Sequence, residues 1–429
     1  MKEQSVFVCA SCGNEFLKWE GRCAVCGEWN TLKEVQFSKA KFQKEKTKPA
    51  EIMAIEQVDV RNFQRLPTGI SEVDRVLGGG LVPGSVVLLA GDPGIGKSTL
   101  LLQVAQTINQ PVLYIAGEES PHQIKLRYDR LLSKNSQLKI LAETDLENIL
   151  AVLDQDPSSL IIVDSIQTLY DPHFPSTAGS LVQVKECALK LLDFAKGTNK
   201  TVVLVGHITK EGVAAGPKIL EHMVDLVLYL EGERYHGTRI LRGIKNRFGP
   251  TSEIGIFEMS PTGLAPILNP SKLFLSERLS NVPGSAVTAT MEGTRPFLVE
   301  VQALVNPTSF GYPKRTALGF DLNRLMLLLA VLEKRARLPL SSFDVYVNIV
   351  GGLKIKEPAS DLAISTAVAG AKLGKITSPE FCLFGEIGLS GEIRAVSHSK
   401  ERIKEAKRLG FTRFNRAKTL EQAINDTLS

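Results

Sequence analysis

Continuous apolar runs of five or six residues alternate along this chain with longer segments whose apolar positions recur every three to four residues. The first pattern suits strands buried on both faces of a parallel sheet, the second helices that cover it. Ser85–Ala90 (SVVLLA), Val112–Ala116 (VLYIA), Leu160–Val163 running into Asp164, and Thr201–Gly206 (TVVLVG) read as such strands, and STLLLQVAQTI from Ser98 as a helix. From about Ser271 the chain alternates strands at Ala286–Thr290, Phe297–Gln302 and Val345–Ile349 with helices at Leu322–Ala336, Asp361–Lys372 and Lys400–Leu409, which predicts an α/β or α+β unit. The longest obvious apolar run, Leu325 to Leu332, has eight residues, whereas a membrane helix needs about 20. No basic stretch followed by an apolar one opens the chain, so the expectation is a cytoplasmic protein with no membrane partner.

The length of 429 residues suggests two or three folded units, and 43% hydrophobic with 23% charged residues excludes wholesale disorder. The net charge of +5 is unevenly spread. Residues 1–60 balance nine Lys/Arg against nine Asp/Glu, residues 61–269 carry 20 against 22, and residues 270–429 carry 22 against 15. A surplus confined to the last third favours a polyanion partner through counterion release, or serves as a solubilising surface. Lys33, Lys39, Lys41, Lys44, Lys46 and Lys48 before Pro49, with few apolar anchors, mark a linker. The expected division is a small unit at 1–32, a basic linker at 33–60, a large unit at 61–269 and a further domain at 270–429.

Between the strand ending at Ala90 and the helix from Ser98 stands Gly91-Asp92-Pro93-Gly94-Ile95-Gly96-Lys97-Ser98-Thr99, a complete phosphate-binding loop in strand–loop–helix context. Its glycines let successive N–H groups face phosphates, the helix start adds its dipole, Lys97 reaches the β/γ-phosphates and Ser98 ligates Mg²⁺. The loop predicts ATP as ligand, with Lys97 at the surface. Hydrolysis needs a second magnesium anchor and a group to orient water. Asp164, at the end of its strand, suits the first role because ligands collect at the carboxyl ends of parallel strands. The strand 112–116 ends in Gly117-Glu118-Glu119-Ser120-Pro121, which makes Glu118 the expected general base; the alternative is that both acids only complement the dipole of the following helix. His207 ends a further strand, either as γ-phosphate sensor or as a loop hydrogen-bonder. Lys210 to His222 (KEGVAAGPKILEH) follows, with Lys210 and Lys218 as candidate DNA phosphate contacts.

Cys9, Cys12, Cys23 and Cys26 have the spacing C-x2-C-x10-C-x2-C of a tetrahedral zinc site, and Gly13 and Gly27 let the backbone fold under the sulfurs. A redox dithiol is the alternative. Trp19 and Trp29, the only tryptophans, are expected to pack on the small metal core, since about 30 residues cannot hold themselves together without metal. Cys187 and Cys382 lie in apolar-periodic stretches and read as buried thiols.

This order of parts resembles the bacterial RadA (Sms) family of DNA repair ATPases, in which a four-cysteine zinc motif precedes a RecA-like P-loop ATPase and a Lon-protease-like α+β domain. Leu66-Pro-Thr-Gly-Ile-Ser-Glu-Val-Asp-Arg-Val-Leu-Gly-Gly-Gly80 and Lys245-Asn-Arg-Phe-Gly249 match the family's signatures, and the resemblance spans nearly the whole chain. It implies a hexameric, ATP-driven motor on single-stranded and branched DNA, working with the recombinase RecA. By themselves Lys245 to Gly249 read as a turn after a strand over Thr238–Arg242. In a ring with nucleotide between subunits, Lys245 and Arg247 would instead reach a neighbour's phosphates as an arginine finger does, or DNA.

The Lon resemblance raises an ATP-dependent peptidase as the alternative function; a phosphotransfer ATPase of circadian-clock type would leave the zinc motif and the basic tail without use. In the register of the Lon nucleophile loop, Lys356-Glu-Pro-Ala-Ser-Asp361 puts Ala359 at the serine position, while Lys400 falls where the family's catalytic lysine lies. Ser360, one residue on, reads as a helix N-cap. The domain is therefore expected to be a ring-forming scaffold, with Lys354, Lys356, Lys400, Arg402 and Lys404 as candidates for a DNA-facing surface.

Overall fold

In the computed structural model, residues 5–9, 15, 16, 18–36, 64–131, 137–174, 176–207, 216–232, 237–279, 281–309, 311–351 and 354–429 are described. They divide into two compact units, one drawn from residues 1–231, 239–251 and 257–266, the other from 232–238, 252–256 and 267–429.

At the start of the first unit, β1 (Ser5–Cys9) pairs antiparallel with β2 (Glu15–Phe16) and β3 (Leu32–Gln36). The small core beneath these strands is Cys9, Cys23 and Leu32 with Phe7 and Phe16 against them. The tryptophans take no part in it. Trp19 is 56% and Trp29 67% exposed, because Phe7, Phe16 and Leu32 fill the space that the sequence reading assigned to them.

The rest of the unit is built on one nine-stranded sheet. Helix α1 (Ser71–Leu77) precedes β4 (Val86–Gly91), and α2 (Lys97–Thr107), β5 (Val112–Ala116), α3 (Pro121–Arg130), β6 (Leu138–Leu141), α4 (Leu146–Leu153) and β7 (Leu160–Asp164) follow. Then come α5 (Leu181–Thr198), β8 (Thr201–His207), α6 (Gly216–Met223), β9 (Leu226–Glu231), β10 (Thr238–Asn246), β11 (Ile254–Ser260) and β12 (Gly263–Pro266). Strand order is β12-β11-β10-β9-β4-β8-β7-β5-β6. The six strands from β9 to β6 are parallel, and β10 joins β9 antiparallel. β4, β5 and β8 are apolar on both faces because each face has its own core. Val87, Leu89, Tyr114, Ile162 and Val203 face α2, while Val86, Leu88, Ile115, Ile161 and Val202 face α5. Each α/β crossover returns the chain to the same end of the sheet, so the carboxyl ends of β4, β8, β7 and β5 lie side by side.

The second unit has a four-stranded sheet in the order β13 (Ser285–Glu292), β14 (Arg295–Pro307), β16 (Phe343–Ile349), β15 (Arg315–Leu318). The first three strands are antiparallel and β15 is parallel to β16. Helices α7 (Pro270–Leu275), α8 (Leu322–Arg335), α9 (Asp361–Leu373), α10 (Ser399–Arg408) and α11 (Leu420–Thr427) complete it, with α9 buried along ten consecutive residues from Asp361 to Gly370.

Candidate nucleotide site, basic turn and metal knuckle

The loop after β4 has the phosphate-cradle conformation. Gly91, Gly94 and Gly96 take φ of +153°, +76° and +116°, and a β-carbon on Gly91 would strike the Leu230 carbonyl oxygen on β9. Only glycine fits there. Lys97 opens α2, and its Nζ donates to the carbonyls of Gly91 at 2.9 Å and Asp92 at 3.1 Å. The residue is 4% exposed, not at the surface as expected, because the loop wraps around the ammonium group. Burial lowers the ammonium pKa, opposed by the negative charges of Asp164, Glu118 and Asp92. From β10, the buried Arg239 donates Nε to the Ile95 carbonyl at 3.1 Å and so braces the loop from behind. Its distance in sequence kept Arg239 out of the reading above.

Asp164 ends β7 opposite Ala116 of β5. Its residue-by-residue alternation with the buried Ile162 and Leu160 points it to the α2 face, and it lines one small cleft with Ser98, Tyr114, Glu118 and Glu119. Ser98 and Asp164 thus line the same cleft. The Tyr114 hydroxyl donates to Asp164 Oδ2. Burial raises the Tyr114 pKa well above its ordinary value, and the charge of Asp164 adds to this, so the hydroxyl stays protonated as a donor.

Three strand ends meet at Glu118. Its Oε1 accepts from the fully buried Ser165 hydroxyl and lies 3.2 Å from His207 Nε2. Glu119 lines the same cleft but is paired with Arg127 of α3. The helix after them needs neither acid, because Ser120 and Gln123 form a capping box at its start. Gly117 must be glycine, since a β-carbon would strike Thr168 Oγ1. Ser165 and Tyr114 escaped the sequence reading. A serine after a strand and a tyrosine within one have no distinctive pattern, although the hydroxyl adjoining Asp164 was the available signal.

The segment 245–249 does not begin as a turn. β10 runs on through Asn246 with a bulge between Gly243 and Lys245, and the turn starts at Arg247. Lys245 Nζ donates to the last carbonyls of α6, Glu221 at 2.9 Å and His222 at 3.1 Å, and Arg247 pairs with Asp225 at 3.2 Å. The Asp225 carboxylate also accepts from Val86 N, where β4 begins. Arg65, just ahead of the Leu66–Gly80 phrase, donates to the Phe248 carbonyl at 2.6 Å and so ties the two signature segments together. Asn246 pairs with Leu226 and Gly91 with Leu230, four residues or about 13 Å farther along β9, so the turn occupies the opposite edge of the sheet from its own phosphate loop. Lys210 lies outside the described residues; Lys218 is on α6, and its side chain lies outside them too.

In the knuckle, the sulfurs of Cys9, Cys23 and Cys26 lie within 4.8 Å of one another, with Cys9 and Cys26 at 3.7 Å. Cys12 lies outside the described residues. Three convergent thiols on two chain segments fit a tetrahedral zinc ion with Cys12 as the fourth ligand, and Gly27, at φ +77°, permits the tight turn after Cys26. Cys187 and Cys382 are both fully buried, and burial pushes the Cys187 thiol up to about 12.

In the second unit, the segment 356–361 offers no exposed hydroxyl. Ala359 is buried, and Ser360 is fully buried with its hydroxyl donating to the Glu357 carbonyl at 3.3 Å. It stands at the N-cap position of α9, as the sequence suggests, but makes no side-chain cap bond, because the 3₁₀ turn Pro358–Ser360 leads straight into α9 and its hydroxyl donates back to Glu357. Arg402 is also displaced from its expected role. It is 0% exposed and grips Glu357 in a two-pronged ion pair at 2.8 and 2.6 Å. It faces inward because α10 presents Arg402 and Ala406, one turn apart, to the core. Lys354, Lys356, Lys400 and Lys404 are exposed.

Residues 49–213 match a family model described as an AAA domain, and residues 7–34 one described as a rubredoxin metal binding domain. The protein named DNA repair protein RadA of Bacillus subtilis is 50% identical over 425 residues, 96% of this chain and 92% of its own. The protein of the same name from Streptococcus pyogenes serotype M6 is 48% identical over 432 residues, 99% and 95% of the two chains. Among solved structures, the KaiC-like protein PH0186 of Pyrococcus horikoshii is 20% identical with a TM-score of 0.38, over 48% of this chain and 99% of that one. No helix among the described residues is long and apolar enough to cross a membrane.

Proposed function

The chain belongs to the family of DNA repair protein RadA, and on that premise we propose that it is an ATP-driven motor that moves on single-stranded and branched DNA during homologous recombination. ATP hydrolysis supplies the drive, and the working form is a homo-oligomeric, hexameric ring. The observation that carries the hydrolytic reading is the meeting of Glu118, Ser165 and His207 beside the cleft that Ser98 and Asp164 line. A phosphate cradle alone binds nucleotide; a positioned carboxylate at its edge gives it a base.

In this reading the amides of Gly94 to Ser98 and the Lys97 ammonium bind the β- and γ-phosphates. Mg²⁺ neutralises charge on the phosphate oxygens, and Ser98 and Asp164 are the side chains to hold it. Glu118 orients the attacking water and takes its proton. The contact with His207 links that base to β8, whose continuation is the candidate DNA-facing segment with Lys210 and Lys218. The γ-phosphate state and DNA engagement would then be coupled through one hydrogen bond. Lys245 and Arg247, on the far edge of the sheet, serve a neighbouring subunit's phosphates or DNA. Zinc held by Cys9, Cys12, Cys23 and Cys26 is structural, since four thiolates leave no open coordination position. We assign residues 1–36 to zinc binding, because β3 pairs with β1 four residues beyond the 1–32 read from the sequence, 37–60 to the linker that the sequence put at 33–60, 61–269 to the ATPase and 270–429 to a Lon-like scaffold.

A peptidase is the competing function. The inward Ser360 hydroxyl and the Ala359 methyl group speak against it, because acyl transfer needs an accessible nucleophile. ATP turnover with and without single-stranded DNA, in the wild type and in Lys97→Ala, tests the proposal. DNA should stimulate the wild type, and the variant should hydrolyse nothing. Normal turnover in Lys97→Ala, or ATP-stimulated casein cleavage, would overturn it.

A further inference from the structure

The geometry points to Tyr114 as the positioning residue that aims the magnesium carboxylate of Asp164. This inference rests on the proposed nucleotide reading, in which Asp164 and Ser98 hold Mg²⁺.

Tyr114 stands on β5, two residues before Ala116, and Ala116 pairs with Asp164 across the parallel β5–β7 ladder. Residues two apart in a strand share a face, so Tyr114 and Ala116 point to the same α2 side as Asp164. The residue is 1% exposed, packed in the core, and lines the cleft beside Asp164. Its hydroxyl donates to Asp164 Oδ2. Among the described residues, no other side chain donates to Asp164. One oxygen is therefore pinned from below by a rigid ring with two torsions, and Oδ1 is left for the cleft that Ser98 lines. A carboxylate without such a partner would rotate about its last torsion, which has a broad minimum. Ordering it would then oppose metal binding.

The arrangement has the form of an outer-shell hydrogen bond that orients a metal-binding carboxylate, and loss of such a bond typically costs about 10–100-fold in metal affinity. The hydroxyl is the only atom that Phe lacks, so Tyr114→Phe removes the bond and keeps the packing. The readout need not be turnover. Binding of a non-hydrolysable ATP analogue is measured by calorimetry on the full chain, across a titration of Mg²⁺ and in excess EDTA, for the wild type, Tyr114→Phe and Asp164→Asn. We expect the Mg²⁺ midpoint for analogue binding to rise roughly 10-fold in Tyr114→Phe, while the affinity in EDTA and the circular dichroism spectrum match the wild type. A merely structural tyrosine would move the EDTA affinity and the Mg²⁺ response together, or neither. If the Mg²⁺ midpoint of Tyr114→Phe equals that of the wild type while Asp164→Asn raises it, the positioning inference falls and the magnesium reading stands. If Asp164→Asn leaves the midpoint unchanged too, both fall.

Discussion

Arg402 is a cation of the basic last third that faces the core and not solvent, and its removal has a calculable consequence. The side chain is 0% exposed and donates to both oxygens of Glu357, to the Ala289 carbonyl and, at 3.0 Å, to the Ser397 carbonyl. It thereby ties α10 to β13 and to the turn before α9. Arg402→Met fills much of the volume but leaves Glu357 and a buried carbonyl without their donor. Removing one partner of a buried pair costs about 3–5 kcal/mol. Glu357 retains the Met291 amide at 2.6 Å and its side chain is 23% exposed, so the low end, about 3 kcal/mol, applies. For a unit of this size each kcal/mol is worth about 2–4 °C, so the melting midpoint should fall by about 6–12 °C. The pH dependence carries a definite sign. Burial pushes the Glu357 carboxyl up, but the hydrogen bonds and charge of Arg402 outweigh it and hold the group below the usual range. A depressed carboxyl stabilises the fold above its unfolded pKa and loses that contribution as pH falls through the folded value, so the gap between wild type and variant should close below about pH 4. Scanning calorimetry at pH 7 and in steps below about pH 4 measures both. Because the residue touches no solvent, the salt dependence of DNA binding should keep its slope. A variant that melts within 1 °C of the wild type while losing about one unit of that slope would refute the buried-lock reading and return Arg402 to the DNA surface.

Glu118→Gln should bind ATP as the wild type does and lose about 10²–10⁴-fold in turnover; a loss below tenfold in single-turnover assays would remove it as the base. Lys245→Ala should retain nucleotide binding, since the residue lies on the opposite sheet edge, but fail to couple it to DNA unwinding. Mixing that variant with Lys97→Ala should restore part of the activity if the contact is made to a neighbour's nucleotide, and none if it is not. Metal analysis should return one zinc per chain, and Cys23→Ser should lower it below half and loosen residues 5–36 to proteolysis while ATP hydrolysis persists; iron in fresh protein would contradict the assignment.

Much of this protein is written in local order. The phosphate loop is readable because Gly91 to Ser98 form one short contiguous stretch whose amides and side chains converge on one anion. The four cysteines are readable because short chain spacing sets sulfur separation, and β5, β7 and β8 because doubly buried strands must be apolar throughout. Even the carboxyl-edge placement of Glu118 and Asp164 follows from strands that end in acids. Tertiary structure alone decided how the two acids are held. Arg127, eight residues on, pairs with Glu119, while Ser165 and His207 arrive from two other strands to hold Glu118. It likewise turned Arg402 from a surface cation into a buried lock and put the tryptophans outside the metal knuckle. The contacts of Glu118 with Ser165 and His207 and of Arg402 with Glu357 join residues far apart in the chain, and amino-acid type says what a side chain can bond to without saying which partner the packing delivers. Arg402 and Lys404 are two positions apart with the same charge, yet α10 sends one to the core and the other to water.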